Sequence, residues 1–166
     1  MTHVRPMRAD ERDEVRALLA DAYRPYANDL APAMYEYYLA GVLDLDDGGD
    51  ALVAVAGDKV AGTARLFPAD RVPIPLAPGW AWVRAVGVHP SARGTGVGRA
   101  LMAHCATLAA DARALALHTM DFMPSAIRLY ERLGYVRVPE WDIQVGGERG
   151  FAPEEQFLAI AYALVR

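Results

Sequence analysis

The fifteen residues from Val86 to Ala100, V-G-V-H-P-S-A-R-G-T-G-V-G-R-A, constrain this chain more than any other stretch. They close an apolar run, Trp80 to Val88, and lead into Leu101, Cys105, Leu108 and Ala112, spaced at helical intervals. The pattern predicts a strand, a glycine-rich turn and a helix. Gly94, Gly96 and Gly98 strip the turn of side chains, so successive backbone N–H groups can converge on one ligand, and such a concavity of donors suits an anion. The helix that begins there adds its own unpaired N–H groups and the positive end of its dipole. With Arg93 and Arg99 at either end, the guest this arrangement predicts is a phosphate or pyrophosphate. The plainer reading is a glycine turn that merely joins strand to helix.

Composition narrows the partners. Seventeen basic against 21 acidic residues leave a net charge of -4, which argues against nonspecific nucleic-acid binding but is compatible with a local basic groove. No apolar run approaches the ~20 residues of a membrane span. The first residues, Met1 to Pro6, lack the apolar core of a signal peptide, so the expected location is cytoplasmic. Cys105 is the one cysteine, which rules out an intrachain disulfide and fits a reducing compartment; its place on the apolar stripe of its helix reads as core packing, not as a nucleophile. His3, His89, His104 and His118 show no metal-ligand spacing, and no metal is expected.

Taken in order, Val4 to Met7 suits a short strand. Asp10 then offers an N-cap to an amphipathic helix with Val15, Leu18, Leu19 and Ala22 on one face, ended by Pro25. Pro32 opens a second helix with Met34, Tyr35, Tyr38, Leu39 and Val42 inward. The acidic run Asp44 to Asp50 reads as a solvated loop, with an amine-binding patch as the alternative. Ala51 to Ala56 and Lys59 to Phe67 form an antiparallel hairpin across Gly57-Asp58, and four prolines between Pro68 and Pro78 make a stiff loop before the strand Trp80 to Val88. After the glycine turn come a helix to about Ala112, a strand Leu115 to Met120, a helix from Pro124 to Leu133 stopped by Gly134, and a strand Tyr135 to Val138. Gly146 to Pro153 is a loop, and Phe157 to Val165 is a final strand apolar enough for burial on both faces. The order is β-α-α-β-β-β-α-β-α-β-β. Without repeats or linkers, residues 1–166 read as one domain.

Two phosphate-binding signatures fail on the central turn. A Walker loop needs Gly-Lys-Ser/Thr, whereas Gly98 is followed by Arg99 and Ala100. The dinucleotide fingerprint needs G-x-G-x-x-G, whereas the spacing here is G-x-G-x-G. Arg93-x-x-Gly96-x-Gly98, led in by Val86-x-Val88-x-Pro90, resembles instead the R/Q-x-x-G-x-G/A signature of the GNAT superfamily of acyl-CoA-dependent N-acyltransferases. A second block, Ala126-x-x-x-Tyr130-Glu131-Arg132-Leu133-Gly134-Tyr135, is similar to that family's A-x-x-L-Y-E-K-L-G-F segment. The resemblance covers Trp80 to Val138, and the part before it agrees in pattern only.

The resemblance implies a mixed α/β fold: a mostly antiparallel sheet flanked by helices and splayed at the strand before the glycine turn. It implies acetyl transfer from acetyl-CoA to a primary amine of a small molecule or peptide, by direct attack. The pyrophosphate of coenzyme A would lie on Arg93, Gly94, Thr95, Gly96, Val97, Gly98 and Arg99, and its pantetheine arm along Val86, Gly87 and Val88. Gly87 also suits a bulge or a close backbone approach. A backbone N–H near Val86 would serve the oxyanion. Tyr130 matches the tyrosine that protonates the departing thiolate, with packing under the sheet as its plainer role.

The base is open. An alkyl ammonium has a pKa of about 10.4, and many relatives carry a glutamate on the strand that here lacks any carboxylate. Glu36, Asp121, His118 and a water relay are the candidates, while Asp121 and His118 also have ordinary structural readings. Met123 stands where many relatives place an asparagine on the cofactor; losing one neutral hydrogen bond costs about 1 kcal/mol, so binding should survive. Tyr35, Tyr37 and Tyr38 lie where the family's acceptor site is bordered, or simply pack. A homodimer through the last strands is a further implication. The missing strand carboxylate leaves a non-catalytic acyl-CoA-binding module as the alternative function.

Overall fold

The computed structural model describes Met1–Arg166. One sheet of eight strands runs through the chain in the order β1-β2-β3-β4-β5-β8-β6, with β7 pairing β8 off that path. The strands are β1 (Thr2–Pro6), β2 (Asp50–Ala56), β3 (Lys59–Phe67), β4 (Trp80–Val88), β5 (Ala114–Thr119), β6 (Val136–Arg137), β7 (Ile143–Val145) and β8 (Phe157–Val165). Only β4 and β5 run parallel, as the intervening crossover helix requires. The helices are α1 (Arg12–Tyr23), α2 (Pro32–Leu43), α3 (Val97–Leu108) and α4 (Pro124–Arg132). This is the mixed, mostly antiparallel architecture expected.

The two faces of the sheet are covered by different helices. Leu52, Ala54, Ala64, Leu66, Val83, Leu115 and Leu117 pack under Val97, Leu101, Met102 and Cys105 of α3 and Tyr130 of α4. On the opposite face Val53, Val55, Val60 and Ala85 meet Val15, Leu18, Leu19, Ala22 and Tyr23 of α1 and Val42 of α2. Alternating residues of β2 thus serve opposite cores, which is the period-two rule of a strand. Cys105 is fully buried, and burial pushes its thiol up to about 12, so it is an inert core residue. No helix is long and apolar enough to cross a membrane.

Several local expectations are corrected. Asp10 does not cap α1; a 3-10 turn, Ala9–Glu11, precedes the helix, and the Glu11 carboxylate accepts from the Arg8 amide at 2.8 Å and from both terminal nitrogens of Arg5. The Arg5 hydrogen bond holds the Glu11 carboxyl down at about 2. Helix α3 stops at Leu108, short of Ala112, and β6 is only two residues long. β7 was not anticipated. β8 is buried on both faces only around Ala161–Ala163, while Leu158 and Val165 are exposed.

The acidic run is a largely exposed loop, as expected, but three of its carboxylates are paired within the fold. Asp46 pairs with Arg12, Asp50 with Arg71, and Asp47 with the fully buried Arg65 of β3. Arg65 also donates to the carbonyls of Gly41 and Val42 at 2.9 and 2.7 Å. It thereby helps cap the C-terminus of α2, where the Gly41 carbonyl otherwise has only the Asp44 amide at 3.3 Å, and ties that end to the sheet.

Candidate active site

The site begins with a defect in the β3–β4 ladder. Thr63 faces Gly87 and Arg65 faces Arg84, so β4 carries one extra residue between them. The bulge falls at Ala85, the only non-glycine residue with positive φ (52°), and not at Gly87. Gly87 meets the other expectation, close approach: a Cβ there would lie 3.0 Å from Leu19 Cδ2, so glycine lets α1 press on the strand. Beyond the bulge β4 leaves its neighbour. It pairs with β5 only over Trp80–Val83, while the remaining β5 residues, His118 and Thr119, pair with β8 alone. The sheet splays there, and cavities open on either side of the gap.

The first, of about 610 Å³, holds nine of the ten residues assigned to the cofactor: Val86, Gly87, Val88, Arg93, Gly94, Gly96, Val97, Gly98 and Arg99. Thr95 is the exception and a correction. Its amide and hydroxyl both turn back on the Ala92 carbonyl, so it holds the turn instead of facing the cavity. Gly94 and Gly96 have φ of 76° and 89°, and a Cβ on either would meet nothing, leaving an open cradle in a left-handed conformation that suits glycine. The amides of Gly94, Gly96, Val97, Gly98 and Arg99 have no acceptor within the protein. α3 starts at this cradle, with Gly96 as its N-cap, so its first-turn donors face the same space.

Arg128 and Arg132 of α4 line the cavity beside Arg93 and Arg99, and no carboxylate does. Sequence reasoning missed these two, because nothing along α4 tells that its basic face turns to the glycine turn. The resulting groove has a strong positive field in a chain of net negative charge. Four guanidinium groups and a ring of free amides fit a polyphosphorylated ligand such as coenzyme A.

Tyr130 lines the same cavity. Its ring is buried, its hydroxyl has no partner in the protein, and burial, reinforced by Tyr38 and Tyr135, raises its pKa well above that of a free phenol. It is a neutral phenol at any ordinary pH.

The second cavity, of about 530 Å³, has hydrophobic residues at 16 of 21 lining positions, among them Tyr37, Tyr38, Trp82 and Phe157. Tyr35 does not line it; its hydroxyl donates to the Tyr23 carbonyl at 3.3 Å. Tyr23, Val86 and Met123 line both cavities and so form their common wall. Tyr23 donates to the Val86 carbonyl at 3.1 Å, fixing the strand at the splay. On the α1 stripe it reads as a core residue, which is why the sequence did not single it out.

None of the three side-chain candidates for the base is free at this site. Glu36 and Asp121 are exposed and line neither cavity. His118 lines the second cavity, but Trp82 Nε1 donates to its Nδ1 at 3.0 Å, so its Nε2 carries the proton and donates to the Trp141 carbonyl at 2.8 Å. Burial also lowers its pKa, and the ring is a neutral strut between β4, β5 and the turn at Trp141. Asp44, at the end of α2, is the one carboxylate lining either cavity, and it is exposed and accepts from the Asp46 amide. No group of three or more metal-ligating side chains occurs.

A basic groove and an apolar chamber meeting at a split in a sheet define a site for two substrates, one of them anionic. The chain belongs to the GNAT acetyltransferase family, whose family model, described as "Acetyltransferase (GNAT) family", matches residues 12–135. No curated protein sequence matches. Among solved structures, the PaiA N-acetyltransferase from Thermoplasma acidophilum in complex with coenzyme A superposes with a TM-score of 0.74 at 9% identity, covering 100% of this chain and 99% of that one. The ribosomal-protein-S18-alanine N-acetyltransferase from Escherichia coli gives 0.67 at 18% identity, covering 99% and 94%. A protein described as histone acetyltransferase HPA2 and related acetyltransferase, from Corynebacterium glutamicum, gives 0.68 at 20%, covering 98% and 94%. At these identities the likeness is one of fold.

Proposed function

We propose that this protein moves an acetyl group from acetyl-CoA to the primary amine of a small molecule held in the second cavity. The observation that carries the reading is the shared wall: Val86, Tyr23 and Met123 border both the basic groove and the apolar chamber. Acetyl-CoA supplies an activated thioester. The free amides of Gly94, Gly96, Val97, Gly98 and Arg99, with the side chains of Arg93, Arg99, Arg128 and Arg132, bind its phosphates, and Val86 to Val88 align its arm toward the splay.

In this reading a backbone N–H near Val86 serves the developing oxyanion; in other enzymes, removing such a donor costs about 3 kcal/mol. Tyr130 gives its proton to the departing sulfur. Burial in apolar walls disfavours an ammonium, and the Arg84 and Arg149 cations in the lining push the same way, so the chamber itself favours the neutral nucleophile. Water from the exposed mouth then takes the proton from the attacking nitrogen, and Tyr130 regains one from solvent once the thiol has left.

The test is incubation with acetyl-CoA and a panel of primary amines, following free thiol and product mass. Thiol release that requires an amine and yields its N-acetyl derivative is expected. Coenzyme binding without turnover of any amine would select the non-catalytic acyl-CoA-binding reading, which the lack of a side-chain base favours.

A further inference from the structure

The acceptor chamber carries two cations that the fold neutralises only in part. Arg84 of β4 lies over the Trp82 ring, 5.5 Å from its centroid. Its nearest carboxylate, Asp47, stands at 3.5 Å, and that carboxylate already accepts from Arg65 Nε at 3.0 Å. One anion thus serves two guanidinium groups. Arg149, in the 3-10 turn Gly147–Arg149, stacks over Tyr37 at 5.8 Å and has no acidic partner. Asp44, the only acid in the lining, has its Oδ1 engaged by the Asp46 amide.

A guanidinium lying over an aromatic face can still use its in-plane N–H groups, which match an oxyanion with two parallel hydrogen bonds; those of Arg149 have no partner in the fold, and those of Arg84 have only the shared Asp47 at 3.5 Å. Two such groups, from separate elements, border one mainly apolar chamber of small-molecule size. We infer that the acceptor is an anionic amine, an apolar compound bearing a carboxylate or phosphate that Arg84 and Arg149 hold while its amino group faces the splay. This rests on the transferase reading above, and names its substrate class.

Two measurements separate the inference from that reading. The first is kcat/KM with acetyl-CoA for phenylalanine, phenylalaninamide, phenethylamine and 2-aminoethyl phosphate. The second is calorimetric titration of the coenzyme-A-saturated protein with N-acetylphenylalanine and with its amide. Charge-assisted hydrogen bonds predict a preference of about 10-fold to 100-fold for the anionic member of each pair. Arg149→Gln, at an exposed turn, should remove most of that preference, chiefly through KM, and Arg149→Lys should restore part of it.

A preference for the amino acid or for the phosphate amine supports the inference and says which anion is read. Equal use of acid and amide, with no preference for the phosphate amine, overturns it and leaves the transferase intact. If no amine is acetylated, the transferase reading fails, and the titration still decides: tighter, Arg149-dependent binding of the acid upholds an anion site, and equal binding removes it.

Discussion

Tyr130→Phe is expected to lower kcat by about 100-fold or more, in the range of a lost general acid, while leaving coenzyme A affinity nearly unchanged. The ring contributes to the core and the substitution keeps it; only the hydroxyl is lost, and that hydroxyl has no partner in the fold. Burial, with Tyr38 and Tyr135 adding to it, raises the phenol's pKa, so Tyr130 keeps its proton through the whole assay range. Because the shift is upward, the acid form persists at low and neutral pH and would be lost only in strong alkali. The pH profile of kcat/KM should therefore rise as the amine loses its proton, without a falling limb from Tyr130 below about pH 10, the free phenol's value. Steady-state kinetics across pH with both proteins checks this. A variant with unchanged kcat would reduce Tyr130 to a packing residue.

Asp47→Ala is expected to destabilise the protein by about 3–5 kcal/mol, as breaking a buried ion pair from one side does. Arg65 is 1% exposed, and burial lowers its pKa with Asp47 as the main opposing influence. Without the carboxylate, the guanidinium keeps only the carbonyls of Gly41 and Val42. Against a typical total of about 5–15 kcal/mol the loss is large. Asp46→Ala is the control: its pair with Arg12 is exposed, and such pairs contribute about 0–1 kcal/mol. Urea denaturation of both variants reads the difference. Equal midpoints would mean that α2 is not anchored through Arg65.

The contrast between these two aspartates shows where sequence reasoning stops. Period and punctuation located β4, the β2–β3 hairpin, the Pro32 helix start and the glycine turn, because each is written in adjacent residues. The bulge was not legible: alanine carries no sign of a positive φ, and Gly87 beside it drew the expectation away. Arg65 and Asp47 are eighteen positions apart and only the fold makes them a pair. Arg84, Arg149, Arg128 and Arg132 became site residues through tertiary placement, as Glu36 and Asp121 ceased to be candidates through the same cause. β7 escaped notice because three residues between a proline turn and a glycine give too little alternation to read. Thr95 was grouped with its neighbours by adjacency alone, although its own hydrogen bonds turn it toward Ala92.

The central claim is that the main chain at Gly94 to Arg99 holds the phosphates of coenzyme A. Amide chemical shifts of the isotopically labelled protein, followed during titration with coenzyme A, test it most directly. The account predicts that the Gly94, Gly96, Val97, Gly98 and Arg99 amides move together and saturate at one affinity, and that Thr95, already bonded to Ala92, moves least. Saturation of other regions with these glycine amides unmoved would contradict it.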